Sequence, residues 1–453
     1  MALLLSCAAG TTPLAAQMIA AGNHSFAVCK TGPVQAWGFN DRGQLGIGNT
    51  TNQPAPVTVP GLSNITSIAS SNHSLVLQSD GTVWAWGLNG NGQLGDGTTA
   101  DHHTPVQVNG LPAIVAISTG FSHSLALADD GTVWAWGRNL EGQLGDGTNT
   151  EQYLPLQVSG LPEIVAVDAS WYHSLALDAN GTVWAWGMFH GLLGDGTTLL
   201  RNTPVQVSGL SDVIAIATGQ KHSVVLKSDS TVWTWGSNDF GQLGNGTFID
   251  GAVPTAVSGL AGVIAIDAGQ SHSMILRNDG TVWTWGRNIH GQLGDGSLTA
   301  RNVPGEVPGV EAIAAITSGF NYALALDSAD MLWSWGINDG GELGHGTVPT
   351  HACLCTPVPA MVIDLCRLAT DVAESPEDRS VSVFPNPTSG GCTLSGTRAG
   401  GTVEIRDALG QEVMRSPSGD PFSVVDLSSL RDGIYFLSYR HAGTLITRAL
   451  NKR

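Results

Sequence analysis

The chain has 453 residues, too many for one ordinary core, and its 59 Gly, 14 Trp and 12% charged residues exclude both long helices and disorder. Nowhere do about 18 apolar residues run together, so no helix is expected to span a membrane. Residues 18–363 hold 9 Lys and Arg against 26 Asp and Glu, a net charge of −17, whereas residues 364–453 carry −1; a body this acidic repels phosphate backbones, which argues against a nucleic-acid partner.

The apolar start at Met1 and the small residues up to Ala16 resemble the back half of a secretory signal that lacks its basic leading region. Residues 1–17 are read as the remnant of such a signal, cut near Ala16. The six cysteines are Cys7, Cys29, Cys353, Cys355, Cys366 and Cys392. None forms a Cys-x-x-Cys pair and no His is spaced to complete a zinc site, so neither a metal nor a cofactor is expected. In an oxidising compartment Cys366 can pair with Cys353 or Cys355; free thiols are the alternative, and both readings stay open.

From residue 18 onward the chain repeats itself. A Trp-Gly pair recurs at Gly38, Gly87, Gly137, Gly187, Gly236, Gly286 and Gly336, seven copies spaced 49 or 50 residues apart. Residues 213–260 show one copy in full. A β-branched strand at Val213 is followed by a turn and a second strand from His222. A tight turn at Asp229 leads to Thr231-Val-Trp-Thr-Trp235, whose two indoles share a face because they sit two apart. A Gly-rich loop then leads to a strand containing Pro254, which fits an outer edge. Seven such four-stranded units imply an all-β chain with a seven-bladed β-propeller over residues 18–363, its Trp faces buried between blades and its two ends meeting.

The repeat stops near residue 364. Residues 364–380 are polar and Pro-bearing and read as a linker. Residues 381–453 hold short alternating strands separated by turns, the pattern of a small immunoglobulin-like β-sandwich.

The stretch from Trp134 to Gly147, Trp-Ala-Trp-Gly-Arg-Asn-Leu-Glu-Gly-Gln-Leu-Gly-Asp-Gly, with His123-Ser-Leu upstream, closely resembles the repeats of the regulator of chromosome condensation family. The resemblance covers roughly three quarters of the chain and is specific for fold; for function it says little, since one fold hosts many activities. In the tail, Phe384-Pro-Asn-Pro-Thr-Ser-Gly390, then Ile405 and Asp407 before Gly410, then Asp432-Gly-Ile-Tyr-Phe-Leu437, resemble the type A sorting domain of type IX secretion. That resemblance implies export, with the type IX secretion machinery engaged through residues 381–453. The product would be secreted or held at the outer-membrane surface.

Motifs that could carry chemistry have plainer readings. Gly90-Asn-Gly-Gln-Leu-Gly95 matches a dinucleotide fingerprint, but no helix is expected after it and variants recur in every copy, so it reads as a turn. His24, His73, His123, His173, His222 and His272 share one repeat position, with Tyr322 in the seventh. Spread round a circle they cannot share a metal, and a structural hydrogen bond to backbone is expected. Asp96, Asp146, Asp195 and Asp295 read as solvated turn residues, because each turn offers one carboxylate where calcium needs six to eight oxygens. No catalytic residue can be picked, and the chain is read as a non-enzyme.

Because strands alternate in direction, the turn before each His and the loop after each Trp-Gly open on one face, where the copies differ most. Two residues before the His position stand Gly22, Ser71, Phe121, Trp171, Gln220, Gln270 and Phe320. The candidate contacts with a protein or glycan ligand are Phe39, Arg42, Phe121, Arg138, Trp171, Tyr172, Phe189, His190, Phe240, Arg287, His290 and Phe320. The alternative is that they pack on neighbouring loops.

Other roles are an exported inhibitor, for example of a β-lactamase, as some exported propellers resembling this family are, or an enzyme in the central cavity. Guanine-nucleotide exchange on a small GTPase, the activity of the family's namesake, needs a partner an exported chain would not meet. Light sensing through clustered Trp, as in related plant receptors, is disfavoured because 13 of 14 Trp lie in the Trp-x-Trp-Gly strands.

Overall fold

Short β-branched runs broken by Gly and Asp-Gly turns can pair only with their sequence neighbours, and they do. The computed structural model describes residues 18–28, 33–187, 193–348 and 354–362, then the strands of the tail given below with residues 430–431, and it contains no helix among them. Seven antiparallel four-stranded sheets follow one another over residues 18–58, 65–107, 114–157, 164–206, 213–256, 263–306 and 313–361, here called blades 1 to 7. Within each blade the strand order is the chain order. In blade 3 the register sets His123 opposite Gly137 and Ser124 opposite Trp136. The outermost strands are exposed, and Pro155 and Pro254 sit there, where a missing N–H donor costs little.

The cores lie between blades. One is built from Leu75, Leu77, Val83, Ala85, Leu94 and Val108 of blade 2 with Ile114, Ile117, Ala126, Ala128 and Trp136 of blade 3. Trp136 is wholly buried, while Trp134 packs half-buried against the same cluster, as their shared face requires. The buried indole also reaches back to the preceding blade: Trp136 Nε1 donates to the Gln93 carbonyl at 2.8 Å, and Trp86 to that of Gln44 at 2.8 Å. Gly95 lies against this indole at φ +70°, and a Cβ there would stand 2.8 Å from Trp136 Nε1. The Gly-Gln-Leu-Gly loops are therefore seats for the next blade's Trp, and no phosphate loop exists at Gly90–Gly95.

The ring closes without a shared sheet. Trp37 of blade 1 donates to the Glu342 carbonyl of blade 7 at 2.8 Å, and the Phe320 N–H donates to the Gly22 carbonyl at 3.1 Å. Ile19, Ala27 and Trp37 share a core with Tyr322, Leu324, Leu326, Leu332 and Leu343.

Cys355, buried in the last strand of blade 7, is disulfide-bonded, so the free-thiol reading fails for this residue. Cys353 and Cys366, like the proposed signal remnant and linker, lie outside the described residues. The chain divides into two compact units, residues 1–367 and 368–453. The second holds a three-stranded sheet of Ser382–Phe384, Gly391–Ser395 and Phe422–Asp426. Its other sheet has four strands, in the order Glu412–Pro417, Thr402–Asp407, Gly433–His441 and Thr444–Lys452.

Candidate binding face

The repeated His opens the second strand of its blade, and burial holds it there uncharged. His24 Nε2 lies 2.7 Å from Ser74 Oγ of the next blade; His73 pairs with Ser124, His123 with Ser174, His173 with Ser223 and His222 with Ser273 at 2.7 to 3.0 Å. The expected backbone partner is thus corrected at Nε2, where the ring bonds a neighbouring hydroxyl; a backbone bond, with Ser71 and with His272, acts on His24 and His222 besides. Ser74, Ser124, Ser174 and Ser273 each spend their proton on the carbonyl of Gln44, Gln93, Gln143 or Gln242, which places the His proton on Nε2. Burial lowers the pKa of these five histidines to about 3 and that of His272 to about 4. Blade 7 carries Tyr322-Ala323 in place of His-Ser. Tyr322 Oη reaches Ser25 at 2.7 Å, while His272, facing a blade without the serine, has no hydrogen bond on either ring nitrogen.

The first strand of every blade lines a central channel with a cavity of about 90 Å³, room for several waters. Two carboxylates stand in its wall. Asp168 accepts from Ser118 Oγ of blade 3 at 2.9 Å and from the N–H and Oγ1 of Thr218 in blade 5, both at 2.8 Å. Asp267 accepts from the N–H of Ala268 at 2.8 Å and that of Ser318 at 2.7 Å, and burial raises its pKa. These residues stitch blades together. The sequence reading missed them, although a charge five residues before the His position was a visible signal.

At one mouth of the channel the variable positions meet. Blade 7 lies across the axis from blades 3 and 4, so Phe320 reaches both Trp171, at 5.0 Å between ring centres, and Phe121, at 6.1 Å. Phe121 and Trp171 are 4.2 Å apart, and Tyr172 meets Trp171 edge-on at 6.2 Å. All four are half-buried. Beside them runs a chain of neutral amides: Gln270 donates to Gln220 at 3.3 Å, Asn321 to Gln270 at 2.9 Å and Gln292 to Asn321 at 3.2 Å.

The other candidates are spread outward on the same face. Phe39 packs against Gly340 of blade 7. Arg42 is exposed, 3.8 Å from Asp41 and 3.6 Å from Asp101. Arg138 forks onto Glu141 at 2.7 and 3.1 Å. The Arg287 guanidinium lies 5.0 Å over the Phe240 ring, and His290 beside it is held below its usual pKa by burial and by Arg287. Tyr172 also packs on the core between blades 4 and 5. Phe189 and His190 lie outside the described residues.

The loops owe their shape to an asparagine that the sequence reading passed over. Asn139 Oδ1 accepts from the Leu144 N–H at 3.0 Å, while its amide donates to the carbonyls of Thr148 and Thr150 at 3.2 and 3.0 Å. Asn40, Asn89, Asn238, Asn288 and Asn338 are buried alike, and recurrence two residues after Trp-Gly was the clue. The Asp turns also differ from expectation. Asp96 bonds the Thr98 N–H at 2.9 Å and His102 at 2.9 Å, and Asp195 pairs with Arg201 at 2.8 Å, so these carboxylates are half-buried anchors and not solvated. Among the described residues no three His, Cys, Asp or Glu gather round a metal position.

Seven sheets in a closed circle, tied by indole and imidazole bonds and roofed on one side by variable loops, define a seven-bladed propeller. Residues 68–373 match the RCC1-like domain and residues 32–77 the regulator of chromosome condensation (RCC1) repeat, so the chain belongs to the RCC1-like family. Residues 382–452 match the secretion system C-terminal sorting domain, a type IX tail that implies export.

Among solved structures, the chain is similar to human WBSCR16 at 26% identity, covering 72% of this chain and 94% of that one with a TM-score of 0.65. It is also similar to Prp20p from Saccharomyces cerevisiae, a protein described with its binding to Gsp1p and histones, at 25% identity over 77% of this chain and 87% of that one, with a TM-score of 0.64.

Proposed function

We propose that this chain is an exported, non-catalytic binding module that engages a protein or glycan through the loop-rich face of its propeller. The observation that carries the reading is the cluster of Phe121, Trp171 and Phe320 over the channel mouth. Blades 1, 2, 5 and 6 place Gly22, Ser71, Gln220 and Gln270 at that position, so the framework needs no aromatic there. Half-buried aromatics held rigid by one another lose little entropy on binding, which is what interface anchors require. A non-catalytic role is supported by the chemistry around the axis: the histidines are uncharged structural links, and Asp168 and Asp267 are occupied by hydrogen bonds. The sorting tail, whose two sheets we read as a small immunoglobulin-like sandwich, would deliver the propeller to the medium or the outer-membrane surface.

The test compares the full chain with a Phe121→Ala, Trp171→Ala, Phe320→Ala variant in capturing ligands from the medium and outer-membrane fraction of cells that export it. Affinity for the captured ligand is expected to fall at least about thirtyfold, with the tryptophan fluorescence of the folded propeller retained. Equal capture by a folded variant contradicts the reading.

A further inference from the structure

We propose that Arg287 receives a carboxylate from a peptide segment of the bound partner, an inference that rests on the binding reading above. In so acidic a body the arginines find carboxylates within the fold. Arg42 faces Asp41 and Asp101, Arg138 holds Glu141, Arg201 holds Asp195, Arg277 lies 3.4 Å from Asp279 and Arg301 lies 3.5 Å from Asp295. Arg287 departs from this pattern. No carboxylate comes within ion-pair distance of it among the described residues, and its buried Nε has no hydrogen-bond partner. Burial weakens its hold on its proton, and no acidic neighbour offsets the effect.

The repeat shows what is missing. Arg138 and Arg287 occupy the same position, directly after Trp-Gly, in blades 3 and 6. Three residues on, blade 3 supplies Glu141, which takes the Arg138 guanidinium at 3.1 Å and 2.7 Å through two nitrogens. Blade 6 supplies His290 there, a base whose own pKa is lowered by burial and then by Arg287. Where blade 3 satisfies its arginine internally, blade 6 leaves the guanidinium without a carboxylate and sets it over the Phe240 ring, 5.0 Å from the centroid. A guanidinium over an aromatic ring, with no carboxylate of its own, offers the fork that a bidentate carboxylate takes.

Charge decides the class of partner. A polyanion would be repelled by the propeller's net −17, whereas one carboxylate on an otherwise neutral or basic peptide would not. An arginine on the same face as Phe121, Trp171 and Phe320 adds a residue type enriched at protein–protein hot spots.

The experiment pans phage-displayed random peptides against the immobilised full chain and measures selected peptides by calorimetry. The account expects selected sequences to carry Asp or Glu beside an apolar or aromatic residue. Arg287→Gln should weaken binding about tenfold or more, as should replacing the peptide's Glu by Gln, with no further loss when both are made. Arg287→Lys should recover part of the affinity, and the peptide-side change tests the pair without touching the fold. The inference is overturned if selected peptides lack acidic residues, if Arg287→Gln leaves affinity unchanged, if no peptide is enriched, or if only uronate glycans in a parallel array bind with Arg287 dependence. Loss of peptide binding in Trp171→Ala but not in Arg287→Gln would leave the binding face standing and remove this inference alone; insensitivity to both removes both.

Discussion

Acidifying the full chain from pH 7 to pH 4 is expected to unfold the propeller cooperatively, with uptake of several protons per molecule. The cause is the ring of buried histidines. Five have a folded pKa of about 3 and His272 of about 4, all lowered by burial. An unfolded histidine titrates near about 6.5. Above that pH both states are neutral at these rings and stability is complete. Below it the unfolded chain binds protons that the folded chain refuses, so each ring removes about 1.4 kcal/mol per pH unit until its folded pKa is reached.

Six rings acting together exhaust a typical stability of about 5–15 kcal/mol within about two pH units. Asp267 and Glu342 oppose this trend, because burial raises their pKa and the folded state takes up their protons first, yet they are two groups against six. All 14 Trp lie in the propeller, so tryptophan fluorescence follows this unit alone, and potentiometry counts the protons. A midpoint below about pH 3, or uptake near zero, contradicts the assignment of neutral buried imidazoles.

Trp136→Ala is expected to cost about 3–5 kcal/mol, the range for emptying a buried aromatic site. The indole is wholly buried between blades 2 and 3, and its removal also costs the Nε1 bond to the Gln93 carbonyl, which keeps only the Ser124 hydroxyl as donor. Gly95 fits against the indole and brings no side chain to fill the hole. A closed ring offers little relief, since moving two blades together opens a gap elsewhere. Trp134→Ala, on the same strand but half-buried, should cost well under half as much. Urea unfolding of the two variants, read by fluorescence, checks the contrast; equal losses would mean that the blades do not pack through the second indole.

The repeat made the propeller legible because each blade is local. Period, Trp spacing and turn residues all act within about 50 residues of chain. What escaped the sequence was everything made by closure. Phe121 and Trp171 are one repeat apart, but Phe320 reaches them only because blade 7 stands across the axis. His24 finds its serine one repeat away at Ser74, where a scan for local partners does not look. Arg138 and Glu141 were a visible pair three residues apart, and weighing them would have separated Arg138 from Arg287 at once. Phe121, Trp171, Tyr172 and Phe320 pack on one another, as the alternative reading had it; that they also receive a ligand is the proposal the alanine variants test.

Hydrogen exchange of the full chain with and without its captured ligand tests the central claim most directly. Protection is expected around residues 120–122, 170–172 and 319–321 at the channel mouth, with the opposite face, at the turns near Gly131, Gly181 and Gly280, exchanging as before. Protection confined to those turns, or to the outer strands, would contradict a ligand seated on the aromatic platform.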